Sequence, residues 1–286
     1  MSSLLIVGGG KMGGALLGGL LRSGWAGAGD LMVIEPVAER RDELAAEHPG
    51  LRTVAAPEPG LLDDAGERLC GAVLAVKPDA AEGACRALGV TGVTRLLSIV
   101  AGVPCQRLEA ALGGEPAVVR AMPNTPSQIA RGVTVWFATD AVDEAGRERT
   151  RAILSALGRE FEVRDERQVA MATAVSGTGP TYIFLFIEAL IDAAVHLGFP
   201  RHVARELVLD TLSGSAAFAQ ASGRHVAELR DMVVSPGGTS AAALYELEKG
   251  RFRTVISDAV WAAFERTLSI EAGLEGLPPA PSPRPR

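Results

Sequence analysis

Cysteine is scarce in this chain of 286 residues, and Cys70, Cys85 and Cys105 have neither C-x-x-C spacing nor companion histidines among the four present. That pattern argues for free, buried thiols in a reducing compartment and against a bound metal. No strongly basic stretch offsets the net charge of −6, which argues against a nucleic-acid partner. No charged leader or cleavage site precedes the first apolar segment, so a cytoplasmic location is expected. The longest apolar run, 182–197, is interrupted by Glu188, Asp192 and His196, and it reads as too short and too charged to span a bilayer. Those three polar residues share one helical stripe. Without a fourth ligand nearby, a solvated or interfacial stripe is expected rather than a metal site.

Glycine, by contrast, is abundant and purposefully placed. Ser3 to Val7 reads as a buried strand that runs into Gly8, Gly9, Gly10, Lys11, Met12 and Gly13, after which residues 15–21 have helical spacing. This is G-x-G-x-x-G in its required setting. The first glycine allows a tight turn, the second lets backbone approach a pyrophosphate, and the third lets the helix pack on the strand. A second apolar strand, 31–34, ends in Glu35, 22 positions beyond Gly13, where a dinucleotide fold places a ribose-binding carboxylate. A plain glycine turn beside a surface acid would not produce these features in this order.

Helical composition at 37–47 and strand-like runs at 71–76, 95–100, 117–122, 133–138 and 160–163 follow. The alternation predicts an α/β, Rossmann-type doubly wound sheet, mainly parallel, with ligands bound beyond the carboxyl ends of its strands. From Val169 onward the pattern is helical only, at 182–197, 201–222, 225–232, 241–248 and 252–271. A dinucleotide-binding domain is expected over 1–164, an all-helical domain over 165–275, and a disordered Pro-rich tail over 276–286. The 182–197 helix is apolar nearly all round. In a domain of about 110 residues its expected cover is another copy of the chain.

Ser235, Pro236, Gly237, Gly238, Thr239 and Ser240 form a two-glycine turn that opens onto an apolar helix expected from Ser240 to Lys249. The first free N–H groups of such a helix can hold a carboxylate or phosphate. The same stretch also reads as an ordinary N-capped helix after a Pro-Gly turn.

Up to the tail, the chain resembles the pyrroline-5-carboxylate reductase family. The matching blocks are Gly8 to Gly13, Ala75-Val76-Lys77-Pro78, Ser98 to Val103, Arg120 to Pro126, Ala174 to Pro180 and Asp231 to Ser240. The resemblance implies hydride transfer from NADPH or NADH to the C=N carbon of a five-membered cyclic imine, giving L-proline in the last step of proline synthesis. It implies that Val7, Gly8, Gly9, Gly10, Lys11, Met12, Gly13, Glu35, Ala75, Val76, Lys77, Pro78, Val100 and Ala101 hold the cofactor. Ser235, Gly237, Gly238, Thr239 and Ser240 would bind substrate, with the Ser240 hydroxyl on the imine nitrogen as the catalytic contact. It also implies a homodimer, or a larger oligomer of dimers, with no membrane, nucleic-acid or metal partner.

Departures from the family pattern are Ser240 where Thr is common, Lys11 where Asn or Gln is common, Val100 in place of an alanine, and Glu35 where relatives using the phosphorylated cofactor carry a small or polar residue. Glu35 on its own favours NADH, whereas Arg40 or Arg41 folded over the adenosine would favour NADPH. A β-hydroxyacid dehydrogenase of similar build would need a catalytic lysine on the long interdomain helix, and 182–197 has none. A nucleotide-sensing protein without catalysis would keep the glycine motif, but the retained Ser235 to Ser240 turn argues against it.

Overall fold

The computed structural model describes residues 3–58 and 69–273. Cys70 has no described side chain, and the tail over 276–286 lies outside the described residues. Contacts divide the chain into two compact units. The described residues up to 179, together with those from 262, form one unit, and 180–261 form the other.

The first unit is built on eight strands: β1 (Ser3–Val7), β2 (Leu31–Ile34), β3 (Arg52–Val54), β4 (Leu69–Leu74), β5 (Arg95–Ser98), β6 (Ala117–Met122), β7 (Gly132–Ala138) and β8 (Gly158–Glu162). They lie in one sheet in the order β3-β2-β1-β4-β5-β6-β7-β8. All neighbours are parallel except β6 and β7. The connection from Met122 to Gly132 is too short for a parallel crossover, which needs a dozen or more residues, so this pair runs antiparallel.

Both faces of the sheet are covered by helices α1 (Lys11–Arg22), α2 (Ala38–Glu47), α3 (Ala81–Gly89), α4 (Cys105–Leu112) and α5 (Glu144–Ser155). Alternation along β1 shows why. Leu4 and Ile6 join one core with Leu16, Leu17 and Leu20 of α1, while Leu5 and Val7 join a second core with Leu88 of α3 and Leu108 of α4. A strand buried on both faces reads as a continuous apolar run, and each leucine so buried contributes about 2 kcal/mol. Cys85 and Cys105 are buried free thiols in the second core, and burial pushes the Cys85 pKa up to about 11 and that of Cys105 higher still.

The strand expected at 71–76 ends earlier, at Leu74, and that expected at 95–100 ends at Ser98. Ala75 to Pro78 and Ile99 to Ala101 are therefore loops beyond the strand ends. β3 carries only three residues and escaped the sequence pattern.

Helix α6 (Arg167–Ala172) continues through a π-turn at Thr173–Gly177 into α7 (Gly179–His196). The continuous helix Arg167–His196, at 30 residues, extends well before the run expected at 182–197, and by length and composition alone it is long and apolar enough to cross a membrane. Its first turns lacked the apolar periodicity that marks the rest. The expected domain limit at 164/165 follows the change of secondary structure. Contacts place the break at 179/180 because α6 packs on β6 and β7.

In the second unit, α7 is followed by α8 (Arg201–Ser222), α9 (Val226–Met232), α10 (Thr239–Lys249) and the first half of α11 (Phe252–Glu271). Among residues 180–261 only Ala204 and Val208 are buried apolar residues, whereas Phe184, Leu185, Phe186, Leu190, Phe218 and Tyr245 are exposed. A helical unit with so little core of its own needs further cover. Glu188, Asp192 and His196 are exposed, Asp192 pairs with Arg201 at 2.9 Å, and no cluster able to hold a metal occurs among the described residues.

Candidate active site

The sheet order reverses between β1 and β4, and the predicted cofactor residues gather at the carboxyl ends on either side of that point. Gly8 follows β1 with φ of +102°, and a Cβ there would stand 2.7 Å from the Ala75 carbonyl oxygen, so the turn requires glycine. At Gly13 a Cβ would lie 1.9 Å from the Gly8 carbonyl oxygen, which is the helix-to-strand contact expected of the third glycine. Gly10, at the N-cap of α1, has nothing within 4 Å of the same position. Gly10 therefore borders open space at a helix N-terminus with no side-chain cap, a cradle suited to a pyrophosphate. These residues fit a dinucleotide.

Ala75 accepts its place from β1, its N–H donating to the Val7 carbonyl at 2.8 Å, and Ile99 N–H donates in turn to Leu74. The loops carrying Ala75, Val76, Val100 and Ala101 thus stand side by side with Gly8. Val100 is itself buried, while Lys77, Pro78 and Lys11 are exposed at the rim and Met12 is half-buried.

Glu35 is 8% exposed, and both oxygens of its carboxylate accept backbone amides. Gly9 N–H donates to Oε2 at 2.8 Å and Val37 N–H to Oε1 at 3.0 Å. Arg40 Nε donates to the Gly9 carbonyl at 2.8 Å, and Arg41 donates to the carbonyls of Glu35 and Pro36 at 2.8 and 2.9 Å. The loop, the acid and the two arginines form one hydrogen-bonded assembly.

The Ser235 to Ser240 turn belongs to the second unit. Gly237 has φ of +72°, and Gly238 is the N-cap of α10, where a Cβ would come within 2.4 Å of Ser235 Oγ. No side chain caps this helix. The helix does start from the Pro-Gly turn, with glycine, which has no side chain to offer, in the capping position. The amides of Thr239, Ser240 and Ala241 form its open end, since the first intrahelical bond runs from Ala242 N–H to the Gly238 carbonyl. Ser240 is half-buried at the second helical position.

Two blocks carried by the resemblance alone acquire physical roles. Asn124 accepts from Val133 N–H at 2.9 Å through Oδ1 and donates to the Ser176 carbonyl at 3.0 Å through Nδ2, tying β7 to the π-turn. A Cβ on Gly177 would stand 2.8 Å from Met122 Cε, so the π-turn lies close on the end of β6. Arg120, 2% exposed, pairs with Glu166 at 2.9 Å and with Glu271. Burial opposes its charge, but the hydrogen bonds to Glu271 and Glu166 outweigh it and raise its pKa above the ordinary guanidinium value. The signal for these roles was present in Pro123-Asn124-Thr125-Pro126 and Gly177-Thr178-Gly179-Pro180, but their partners are distant in sequence. The full helix 167–196, like its apolar part, carries no lysine.

Comparison with known proteins places this geometry in a family. Residues 166–270 match the family described as pyrroline-5-carboxylate reductase dimerisation, and residues 3–102 match that described as NADP oxidoreductase coenzyme F420-dependent. A pyrroline-5-carboxylate reductase of Pseudomonas aeruginosa is 36% identical over 272 residues, covering 93% of this chain and 96% of its own. The structure of such a reductase from Coxiella burnetii superposes with a TM-score of 0.84 at 33% identity, covering 94% of this chain and 98% of that one. A Plasmodium falciparum pyrroline carboxylate reductase with NADP bound gives 0.83 at 31% identity, covering 94% and 98%. The chain therefore belongs to the pyrroline-5-carboxylate reductase family, nicotinamide-dependent oxidoreductases of the final step of proline biosynthesis.

Proposed function

We propose that this chain reduces 1-pyrroline-5-carboxylate to L-proline with NADPH or NADH, working in the cytoplasm as a homodimer or a larger oligomer of dimers, with no membrane or nucleic-acid partner. The nicotinamide supplies the hydride, chemistry beyond any side chain. Residues 1–164 serve as the cofactor-binding domain and 165–275 as the substrate and dimerisation domain. In the first, Val7 to Gly13, Glu35, Ala75 to Pro78 and Val100 to Ala101 bind and orient the dinucleotide. The open turn of α10 holds the substrate carboxylate on the amides of Thr239 and Ser240, with Ser235, Gly237 and Gly238 shaping it. The Ser240 hydroxyl hydrogen-bonds the ring nitrogen, its Oγ accepting the N–H of the protonated imine. As hydride reaches the C=N carbon the π electrons move to that nitrogen, which stays in the ring as the amine of L-proline. An imine protonated in water brings its own proton, so no histidine or carboxylate acid is required.

The observation that carries this reading is the uncapped, two-glycine start of α10 in a chain that also bears the dinucleotide loop. Almost no apolar burial within 180–261 supports assembly, because a second copy supplies the missing cover for α7. The test is spectrophotometric: NADPH or NADH absorbance should fall only when the cyclic imine is added, without added metal. Cofactor binding without imine-dependent turnover, with and without metals, would overturn it.

A further inference from the structure

The loop from Ile99 to Pro104 joins β5 to α4 and carries Val100 and Ala101, two of the residues proposed above to hold the cofactor. Its front end hangs from the sheet, Ile99 N–H donating to the Leu74 carbonyl at 2.9 Å. Its rear end is held from far away in the chain. Pro104 stands at the N-cap of α4 and has no side-chain acceptor to offer, so Glu166 supplies one, its Oε1 accepting Cys105 N–H at 2.8 Å. The same oxygen accepts from Arg120 at 2.9 Å, and that guanidinium also donates to Glu271 in the last turn of α11. Glu271 brings Ile270 with it. A Cβ on Gly102, whose φ is +72°, would stand 2.5 Å from Ile270 Cγ2, so the end of α11 lies directly against the middle of the loop.

We infer that Arg120, Glu166, Glu271 and Ile270 are positioning residues for hydride transfer: they clamp the 99–104 loop from behind and so set where Val100 and Ala101 hold the nicotinamide end of the cofactor. β2 and β5 lie on opposite sides of the β1–β4 pair, so with Glu35 toward the adenosine the β5 loop meets the other half of the dinucleotide. The clamp works as a set. The Arg120 side chain is 3% exposed, and a guanidinium so buried must be paired. Of the two carboxylates that meet it, Glu166 also faces the positive end of α4, which offsets the second negative charge. Displacement of a reacting group by about 1 Å can cost about a hundredfold in rate, so a loop fixed at both ends and at its middle protects the hydride step. The inference rests on the cofactor and imine reading proposed above.

Removing Arg120 itself would strand two carboxylates and endanger folding, so the test loosens the clamp from the α11 side with Glu271→Gln and Ile270→Ala, which leave the Glu166 cap on α4 in place. Two measurements on the same preparations decide it: the single-turnover rate of NADPH or NADH oxidation at saturating imine, and calorimetric titration with ADP and with the whole dinucleotide. Both variants should slow the single-turnover step by about tenfold to a hundredfold, while the dissociation constants of ADP and of the dinucleotide stay within about threefold. Ile270→Val, which keeps a methyl group against Gly102, should retain most of the wild-type rate. A purely structural role would lower the melting temperature and leave the rate unchanged at temperatures well below it. A wild-type rate in either variant, or ADP binding that weakens in step with the rate, would overturn the inference. A wild-type protein that binds dinucleotide without imine-dependent turnover would refute the catalytic reading instead, and the clamp would fall with it.

Discussion

Replacing Ser240 by alanine separates catalysis from folding more sharply than the sequence suggested. Had this serine capped α10, its loss would cost about 1 kcal/mol of stability. The structure puts Gly238 at the cap and Ser240 at the second helical position, with no side-chain cap bond to lose, and alanine has the better helix propensity by about 0.5 kcal/mol. The melting temperature of Ser240→Ala should therefore be unchanged or slightly raised. Turnover should not be spared. The amides of Thr239 and Ser240 grip the carboxylate equally before and during reaction, whereas the hydroxyl meets a nitrogen whose charge is changing. A hydrogen bond to a charged group is worth about 1.5–3 kcal/mol, so kcat/KM should fall by about one to two orders of magnitude, mostly in kcat, with cofactor affinity unaltered. Ser240→Thr should retain activity because the hydroxyl survives. Steady-state kinetics at varied imine, with thermal melts on the same preparations, decide the matter. Near-normal kcat/KM in Ser240→Ala would refute the catalytic role.

The loop glycines give a contrasting pair. Gly13→Ala drives a Cβ against the Gly8 carbonyl and should lower stability by about 1–3 kcal/mol, read as a drop in melting temperature. Gly10→Ala meets no protein atom and should melt normally while losing dinucleotide affinity; unimpaired binding by titration would show that no pyrophosphate approaches there. Leu190→Asp, on the exposed face of α7, should dissociate the assembly or make it insoluble, and an unchanged sedimentation coefficient would contradict the interface. Burial opposes the charge of Glu162, but hydrogen bonds from Arg151 and Arg147 outweigh it and hold its pKa below the ordinary 4.5. Its contribution to stability is complete above that value and is lost as pH falls through the lowered pKa, so Glu162→Gln should flatten the acid limb of a melting-temperature profile below about pH 4.5.

Local rules served well wherever a residue's role depends on its immediate neighbours in the chain. Gly8, Gly10 and Gly13 follow from strand, turn and helix in succession, and α8 falls at 201–222 as its periodicity predicted. Reasoning from neighbours failed where the partner lies far away. The hydrogen bonds of Asn124 reach Val133 and Ser176, and those of Arg120 reach Glu166 and Glu271. The start of α6 was hidden for a related reason, since a π-turn interrupts the 3.6-residue period that would have extended the apolar stripe backward.

Glu35 marks the division most clearly. Its spacing from Gly13 and its place after an apolar strand determine that an acid stands at the ribose end of the loop. Spacing alone cannot say which way a carboxylate turns, because that depends on competition among acceptors in three dimensions. The amide of Gly9 is a backbone donor in a buried place, where an unpaired N–H costs about 1–3 kcal/mol, and the carboxylate satisfies it together with the amide of Val37. By itself the sequence determined the doubly wound sheet, the dinucleotide loop and the glycine turn before α10, because each is written in local periodicity and backbone freedom. Only the tertiary structure decided that the acid braces the loop, that α10 starts without a side-chain cap, and that 180–261 has almost no core of its own, because those are outcomes of contacts between distant segments.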